Sequence, residues 1–128
     1  MGIRFLSIKK KGGLPLLPDD TVKALINALQ DKLAEEIAII DLSSESSFAD
    51  AFILATGNSD VHMKTLLDNV SETMDRMERD YSIEGERSPK WILLDAGNVV
   101  INIFSREGRD FYRLESIWAN AEMTHIGD

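Results

Sequence analysis

Apolar residues follow helical spacing in two stretches of the sequence. The first predicts a helix capped by Asp19 or Asp20, because apolar positions recur three or four residues apart. These positions are Val22, Leu25, Ile26, Leu29 and Leu33. The second predicts a longer helix over about residues 60–78. Its buried stripe is expected to comprise Met63, Leu66, Leu67, Val70, Met74 and Met77.

Short runs rich in β-branched residues and bounded by turn residues predict strands. These runs are residues 37–42, 51–55, 81–84, 91–95 and 98–104. The last two flank Ala96-Gly97, which predicts a tight hairpin. A short amphipathic C-terminal helix is expected from Phe111, Leu114, Ile117 and Trp118. The fold class is therefore α/β, a single domain with a mixed sheet of about five strands and flanking helices.

Length and composition agree with one domain. The chain has 128 residues, of which 44% are hydrophobic, enough for one packed core. Residues 19–120 are predicted to form the domain, residues 1–18 a flexible basic arm with glycines and prolines, and residues 121–128 a polar tail. Because cysteine is absent, disulfide scaffolds, thiolate zinc sites and cysteine nucleophiles are excluded, and a reducing cytoplasm is favoured. No apolar run approaches the ~20 residues of a membrane span.

Charge is distributed unevenly along the chain. The net charge is −8, but residues 1–18 carry +4 from Arg4, Lys9, Lys10 and Lys11, so residues 19–128 carry −12. Such a body repels phosphate, which disfavours nucleic acid as the main ligand and favours a basic protein surface. The lysine run in the arm can still make a weak contact with nearby RNA.

Residues suited to catalysis are present but scattered. His62 and His125 are isolated from other zinc ligands, and His62 is expected to face solvent or an interface rather than act as a base. Asp41, Asp50 and Asp95 lie at strand ends, where carboxylates can bind Mg²⁺. The adjacent pair of acids that such a site requires is missing, so we favour turn capping. No metal or cofactor is predicted.

The turn Gly57-Asn58-Ser59 precedes the longer helix. Gly57 is expected to supply a positive φ, and Asn58 or Ser59 to cap the helix. The backbone amides of such a turn can cradle a phosphate. Nucleotidyltransferases combine a Gly-Ser turn with paired acids on a following strand, but the corresponding stretch, residues 66–70, is helical and contains Asp68 alone.

One face of the strand at residues 91–95 carries side chains suited to a protein interface. Trp91, Leu93 and Asp95 alternate with Ile92 and Leu94, so the two sets face opposite sides. If the second set faces the core, the first offers an aromatic, an aliphatic and an acidic group, a typical interface anchor. Alternatively, Trp91 packs under the preceding loop. Periodicity alone does not decide between these interpretations.

Further motifs are spread over about residues 22–118. They are Asp41-Leu42, Ser47-Phe48-Ala49-Asp50, Ala55-Thr56-Gly57-Asn58-Ser59 with His62, Glu84-Gly85, Trp91-Ile92-Leu93-Leu94-Asp95, Gly97, Val99-Val100, and Phe111-Tyr112 with Leu114-Glu115 and Trp118. In order and spacing the set resembles the ribosomal silencing factor family, also called Iojap-like proteins. The resemblance implies a mixed α/β fold, nucleotidyltransferase-like without the catalytic acids, and a non-enzymatic function. It also implies a partner, the fourteenth protein of the large ribosomal subunit, where the bound factor blocks joining of the small subunit and represses translation.

The resemblance places the partner-contacting strand at residues 91–96. The expected partner-binding residues are Trp91, Leu93, Asp95 and Ala96. Three positions depart from the family pattern: Ala96 replaces a large apolar or aromatic residue, Asn98 an aspartate and Asn102 a histidine. The small Ala96 reduces the predicted contact area, and the other two remove a charge and a titrating group.

Two alternative functions stay open. One is assembly of the large ribosomal subunit, which the resemblance links to organelle relatives. The other is a degenerate nucleotidyltransferase-like activity that uses the acids at the strand ends. A homodimer is also possible, because the predicted edge strand at residues 81–84 can pair between two copies.

Overall fold

Six strands and three helices make up the part of the chain that the computed structural model describes, residues 20–42, 49–113, 116 and 122–126. In chain order they are α1 (Asp20–Asp31), β1 (Glu35–Asp41), β2 (Ala51–Gly57), α2 (Asp60–Arg76), β3 (Ser82–Glu84), β4 (Trp91–Asp95), β5 (Val99–Ser105), α3 (Arg106–Tyr112) and β6 (Glu122–His125). The strands form one sheet in the order β3-β4-β5-β2-β1-β6. β2 and β5 pair in parallel at its centre, and the other neighbouring strands pair antiparallel. The predicted mixed α/β fold is confirmed.

Helices α1 and α2 cover one face of the sheet. The apolar side chains between them and the strands form a helix-side cluster: Val22, Leu25, Ile26, Ala28, Leu29, Ile37, Ile39, Ala51, Ile53, Ala55, Met63, Leu66, Leu67, Val70, Met74, Ile92, Leu94, Val99, Ile101 and Ile103. Helix α2 begins behind Ser59, whose hydroxyl accepts a hydrogen bond from the N–H of His62. The serine cap is confirmed, and so is the predicted stripe of α2 from Met63 to Met74; Met77 lies beyond the end of the helix and is only partly buried.

The other face of the sheet carries a second group of buried residues, which we call the opposite-face cluster. It comprises Ala38, Ile40, Leu42, Ala49, Phe52, Leu54, Val100 and Phe104. Trp91, Leu93 and Met123 pack against it and are partly buried. The sheet therefore buries side chains on both faces, and strand alternation assigns each residue to one cluster or the other.

The first helix is shorter than its apolar spacing predicts. Leu33 was placed on the buried stripe by that spacing, but its side chain is 79% exposed and its φ is 61°. The helix ends at Asp31, and the N–H of Ala34 donates to the carbonyl of Leu29, which closes the last turn. The prediction is wrong at Leu33 because the chain turns there into a left-handed conformation.

Two predictions for the C-terminal region are wrong. Residues 122–125 are not a polar tail but form β6, which pairs with β1 and adds a sixth strand. The chain also forms a helix that the pattern did not predict, α3, and Phe111 lies in it and is exposed rather than part of a buried stripe. The predicted C-terminal helix itself falls mainly outside the described residues, although Ser116, which is described, is helical. Leu114, Ile117 and Trp118 lie outside the described residues, as do the predicted arm at residues 1–18 and Asp19.

The positive φ predicted at Gly57 is also wrong. Among the described glycines, only Gly85 and Gly97 have a positive φ. Gly57 is required for another reason, since a Cβ there would lie 2.9 Å from Cγ and 3.0 Å from the backbone N of Met63. The absent side chain lets β2 run directly into α2.

Candidate functional site

Three of the four predicted binding residues lie on β4, the first strand of the β4–β5 hairpin. Trp91 lies opposite Phe104 in the register and Leu93 opposite Asn102. Trp91 and Leu93 are half-buried against the opposite-face cluster. Ile92 and Leu94 point the other way and are 2% and 1% exposed within the helix-side cluster. The predicted division of β4 into a core face and a second face is therefore confirmed.

The Trp91 ring is held by contacts within its own molecule. Its centroid lies 5.3 Å from that of Phe104, with the planes 26° apart, and 4.7 Å from that of Tyr112. Its indole N–H donates a 2.9 Å hydrogen bond to Oδ1 of Asn102. The ring keeps part of its surface accessible while three neighbours fix its orientation. Packing and partial exposure, which the sequence offered as alternatives, thus coexist at Trp91.

Helix α3 adds exposed aromatic side chains beside Trp91. Phe111 is 69% exposed and Tyr112 is 37% exposed, and their rings meet edge to face at 5.0 Å. Nζ of Lys90 lies 5.5 Å from the Phe111 centroid, within the range of a cation–π contact. Together Lys90, Trp91, Leu93, Phe111 and Tyr112 form what we call the aromatic surface. The sequence pattern did not indicate that α3 belongs to it.

Close backbone packing fixes α3 against the start of β4. The hydroxyl of Ser105 caps α3 by accepting from the N–H of Gly108 over 2.8 Å. The N–H of Ser105 donates to the carbonyl of Lys90 over 3.1 Å. A Cβ at Gly108 would collide with that same carbonyl oxygen. The glycine is therefore the sequence signal for this approach of α3 to β4.

The other two predicted binding residues lie at the far end of β4. Asp95 is exposed, and its Oδ1 accepts a 2.8 Å hydrogen bond from the N–H of Gly97. This bond confirms the predicted role of Asp95 in capping the turn. Ala96 is partly buried against the helix-side cluster. The structure thus brings Trp91 and Leu93 together, leaves Asp95 at the edge of their face, and turns Ala96 away from it.

The acids considered for a metal site lie at the same end of three strands in the sheet. Asp41 ends β1 and is buried, Asp50 directly precedes β2, and Asp95 ends β4. Within the described ranges, no three or more His, Cys, Asp or Glu side chains are grouped so as to hold a metal ion.

The turn before α2 uses its polar groups internally. The N–H of Asn58 donates to Nδ1 of His62 over 2.9 Å, and the N–H of His62 donates to the hydroxyl of Ser59. Nε2 of His62 lies 2.7 Å from the carbonyl oxygen of Lys32, to which it donates. His62 is therefore a link between the end of α1 and the start of α2, and these two amides are not available to a phosphate.

Comparison with known proteins decides the family. The family model described as "Ribosomal silencing factor during starvation" matches residues 16–128. The chain belongs to this family. The match extends beyond the predicted domain at both ends and includes the segment that forms β6.

Curated relatives carry the family name in several bacteria. The ribosomal silencing factor of Zymomonas mobilis is 35% identical over 102 residues, which cover 79% of this chain and 77% of that protein. The Bacillus subtilis factor is 30% identical over 106 residues, 82% of this chain and 90% of that protein. A mouse relative, "Mitochondrial assembly of ribosomal large subunit protein 1", is 26% identical over 76% of this chain and 44% of its own length.

Solved structures of the same fold support the family assignment. A crystal structure from Chromobacterium violaceum superimposes with a TM-score of 0.76 at 33% identity, covering 78% of this chain and 84% of that one. One from Bacillus halodurans gives a TM-score of 0.71 at 26% identity, covering 77% and 93%. In the described part of this member of the ribosomal silencing factor family, no helix has the length and hydropathy to span a bilayer.

Proposed function

We propose that this chain represses translation by binding the large ribosomal subunit, where it prevents the small subunit from joining. The partner is a basic protein of the large subunit, the fourteenth, as the resemblance implies. Family membership supports action on ribosomes, and relatives named ribosomal silencing factors support repression. The mechanism is steric: the same patch of the large subunit holds either this protein or the small subunit.

The aromatic surface is the observation that carries this proposal. Trp91 is partly exposed and oriented by its neighbours, and Phe111 and Tyr112 extend the apolar area beside it. Rigid aromatic side chains lose little conformational entropy on binding, and they are typical interface anchors. A total buried area of roughly 1,600 Å² would give a specific complex.

Charge favours a protein partner over the surrounding RNA. Residues 19–128 carry −12, and Asp95 places one of these charges at the edge of the binding face. An acidic body is attracted to a basic protein and repelled by ribosomal RNA, which restricts docking to few sites. Steric blocking of subunit joining requires neither a cofactor nor a chemical step, so the proposed role is that of a binding factor and not of an enzyme. The proposed location is the cytoplasm.

Two finer predictions about partners belong to this proposal. Lys9, Lys10 and Lys11 contact nearby RNA weakly; they lie outside the described residues. Two copies pair along β3, which is an edge strand of the sheet. The proposed mechanism depends on neither the RNA contact nor the dimer, because blocking the small subunit requires only that the aromatic surface binds the large subunit.

A pelleting experiment with purified ribosomal subunits tests the proposal. The protein is expected to sediment with large subunits and not with small ones, and to lower the light scattering that accompanies subunit joining. Leu33→Ala serves as a control, because Leu33 is an exposed apolar residue outside the aromatic surface. Failure to pellet with large subunits, or binding that leaves joining unchanged, would contradict the proposal.

A second candidate function is assembly of the large subunit. It is favoured by the mouse relative, whose name states that role, although the identity is only 26%. Sucrose-gradient profiles of a deletion strain separate the two functions. Accumulated precursors of the large subunit during growth indicate assembly, whereas an excess of joined ribosomes during starvation indicates silencing.

A further inference from the structure

Asn102 is a polar residue in an apolar environment. It lies on β5 between Val100 and Phe104, on the side of the sheet that carries the opposite-face cluster, and it is 0% exposed. An amide that is removed from water without partners is destabilising. Its two ends must therefore be paired within the fold, and the chemistry of the partners shows what the amide does.

Each end of the Asn102 amide meets one partner. Oδ1 accepts from the indole Nε1–H of Trp91 over 2.9 Å, and Nδ2 points to the carbonyl oxygen of Ile53 at a longer 3.5 Å. The orientation of the amide follows from chemistry, because an indole N–H can only donate and a carbonyl can only accept. The acceptor end of Asn102 therefore serves Trp91.

The hydrogen bond between Trp91 and Asn102 fixes the rotation of the indole ring, which stacking alone does not. Phe104 and Tyr112 contact the indole of Trp91, but stacking is tolerant of rotation and of a flipped ring. The hydrogen bond to a buried acceptor selects the orientation in which the N–H edge is turned into the molecule. The part of the ring that stays accessible then consists of carbon atoms, so a partner meets an apolar surface that is already ordered.

We propose that Asn102 is a positioning residue for partner binding, acting through the indole of Trp91. The inference rests on the proposed function, since Trp91 must lie in the interface for its orientation to affect affinity. Asn102 itself is fully buried and does not touch the partner. Its loss weakens binding because Trp91 must then be ordered during association.

The free protein gives the first readout. In ¹⁵N-labelled protein, the indole N–H signal that disappears in Trp91→Phe belongs to Trp91. In Asn102→Leu, which keeps the branching of the side chain at Cγ but is larger and has no acceptor, hydrogen exchange at this N–H is expected to be at least about tenfold faster. An unchanged exchange rate would overturn the positioning role. This readout does not depend on ribosomes.

A double-mutant cycle gives the second readout. Asn102→Leu is expected to weaken binding to large subunits by about three- to tenfold in the wild-type background. In the Trp91→Phe background, which has no indole N–H, the same change should have no further effect. Asn102→His, whose neutral ring nitrogen can accept the indole N–H, should restore most of the affinity.

The controls separate positioning from general destabilisation and from failure of the proposed function. Ile40→Val truncates the same cluster three strands away from β4 and should leave binding unchanged. Equal losses from Asn102→Leu in both backgrounds would mean a structural role only. If wild-type protein does not bind large subunits while its indole N–H is protected, the proposed function fails and the orientation of Trp91 by Asn102 stands.

Discussion

Nη1 of Arg109 donates a 2.8 Å hydrogen bond to the main-chain oxygen of Glu36. Glu36 has a φ of 49° and lies where the pairing of β1 with β2 shifts register. The same nitrogen lies 3.0 Å from Oγ1 of Thr56 on β2. One guanidinium, only 8% exposed, therefore ties α3 to both strands at this irregularity.

Replacing Arg109 by leucine is expected to lower the free energy of unfolding by about 2–4 kcal/mol, because buried acceptors lose a charged donor. Arg106→Ala is the matched control. Arg106 pairs with Glu35 at 2.9 Å, but its side chain is 68% exposed, so its loss should cost less than about 1 kcal/mol. Urea denaturation measures both. Equal effects would show that Arg109 has no special part in holding α3.

Gly108→Ala is expected to destabilise the protein by about 2 kcal/mol, because the new Cβ collides with the Lys90 carbonyl and moves α3 away from β4. Gly97→Ala provides the comparison. Gly97 has open space around it but a φ of +91°, so alanine there should cost only about 1 kcal/mol of backbone strain. Thermal unfolding ranks the two variants, and the reverse order would refute the packing argument.

Trp91→Ala should weaken binding to large subunits by at least about 2 kcal/mol, since it removes the aromatic anchor that we propose for the interface. Co-sedimentation measures the loss, and circular dichroism checks the fold. Ile40→Ala is the control for stability, because Ile40 is fully buried in the opposite-face cluster on β1, away from the Trp91 ring. If both variants bind equally weakly, the loss comes from instability and not from a missing contact.

Asp95→Lys is expected to weaken binding and to reduce its dependence on salt, because an attraction to a basic surface becomes a repulsion. Asp95→Asn separates charge from turn geometry: an amide oxygen can still accept from the N–H of Gly97. It should reduce the salt dependence while leaving the unfolding temperature unchanged. Salt profiles that match wild type for both variants would remove Asp95 from the interface.

Tyr81 links stability to high pH. Partial burial, together with the 3.1 Å hydrogen bond from its hydroxyl to Asp75, raises the pKa of Tyr81 above its ordinary value of 10.0. The folded state thus holds this proton more tightly than the unfolded state does. The stabilisation is complete below pH 10 and is lost as pH rises through the folded-state pKa. Urea denaturation across this range should show a steeper decline in wild type than in Tyr81→Phe; identical profiles would contradict the linkage.

The local sequence pattern predicts the structure correctly where the burial of successive residues follows the period of a single helix or strand. The two faces of β4, the stripe of α2 and the serine cap at residue 59 follow from neighbouring residues alone. Leu33 shows the limit of this rule. Its spacing fits the helix, but a turn closed by Ala34 and Leu29 takes it out of register. Periodicity does not show where a helix ends.

Other features depend on residues far apart in sequence. Residues 122–125 carry little apolar pattern, and they become a strand because β1 offers an edge to pair with. The exposure of Phe111 depends on where Gly108 docks against Lys90, a contact between separate elements. The link from Asn102 to Trp91 could not be assigned, because a polar residue within a strand does not reveal its partner.

The parallel pairing of β2 with β5 has a consequence for how the chain is made. A ribosome synthesises α1, β1, β2 and α2 before β5. During translation, the backbone N–H and C=O groups of the buried strand β2 that pair with β5 therefore lack their partners. Fragments that stop before residue 99 cannot complete the centre of the sheet and should be aggregation-prone or quickly degraded. A chain shortened before residue 99 is therefore not expected to form a stable competitor of the full-length protein.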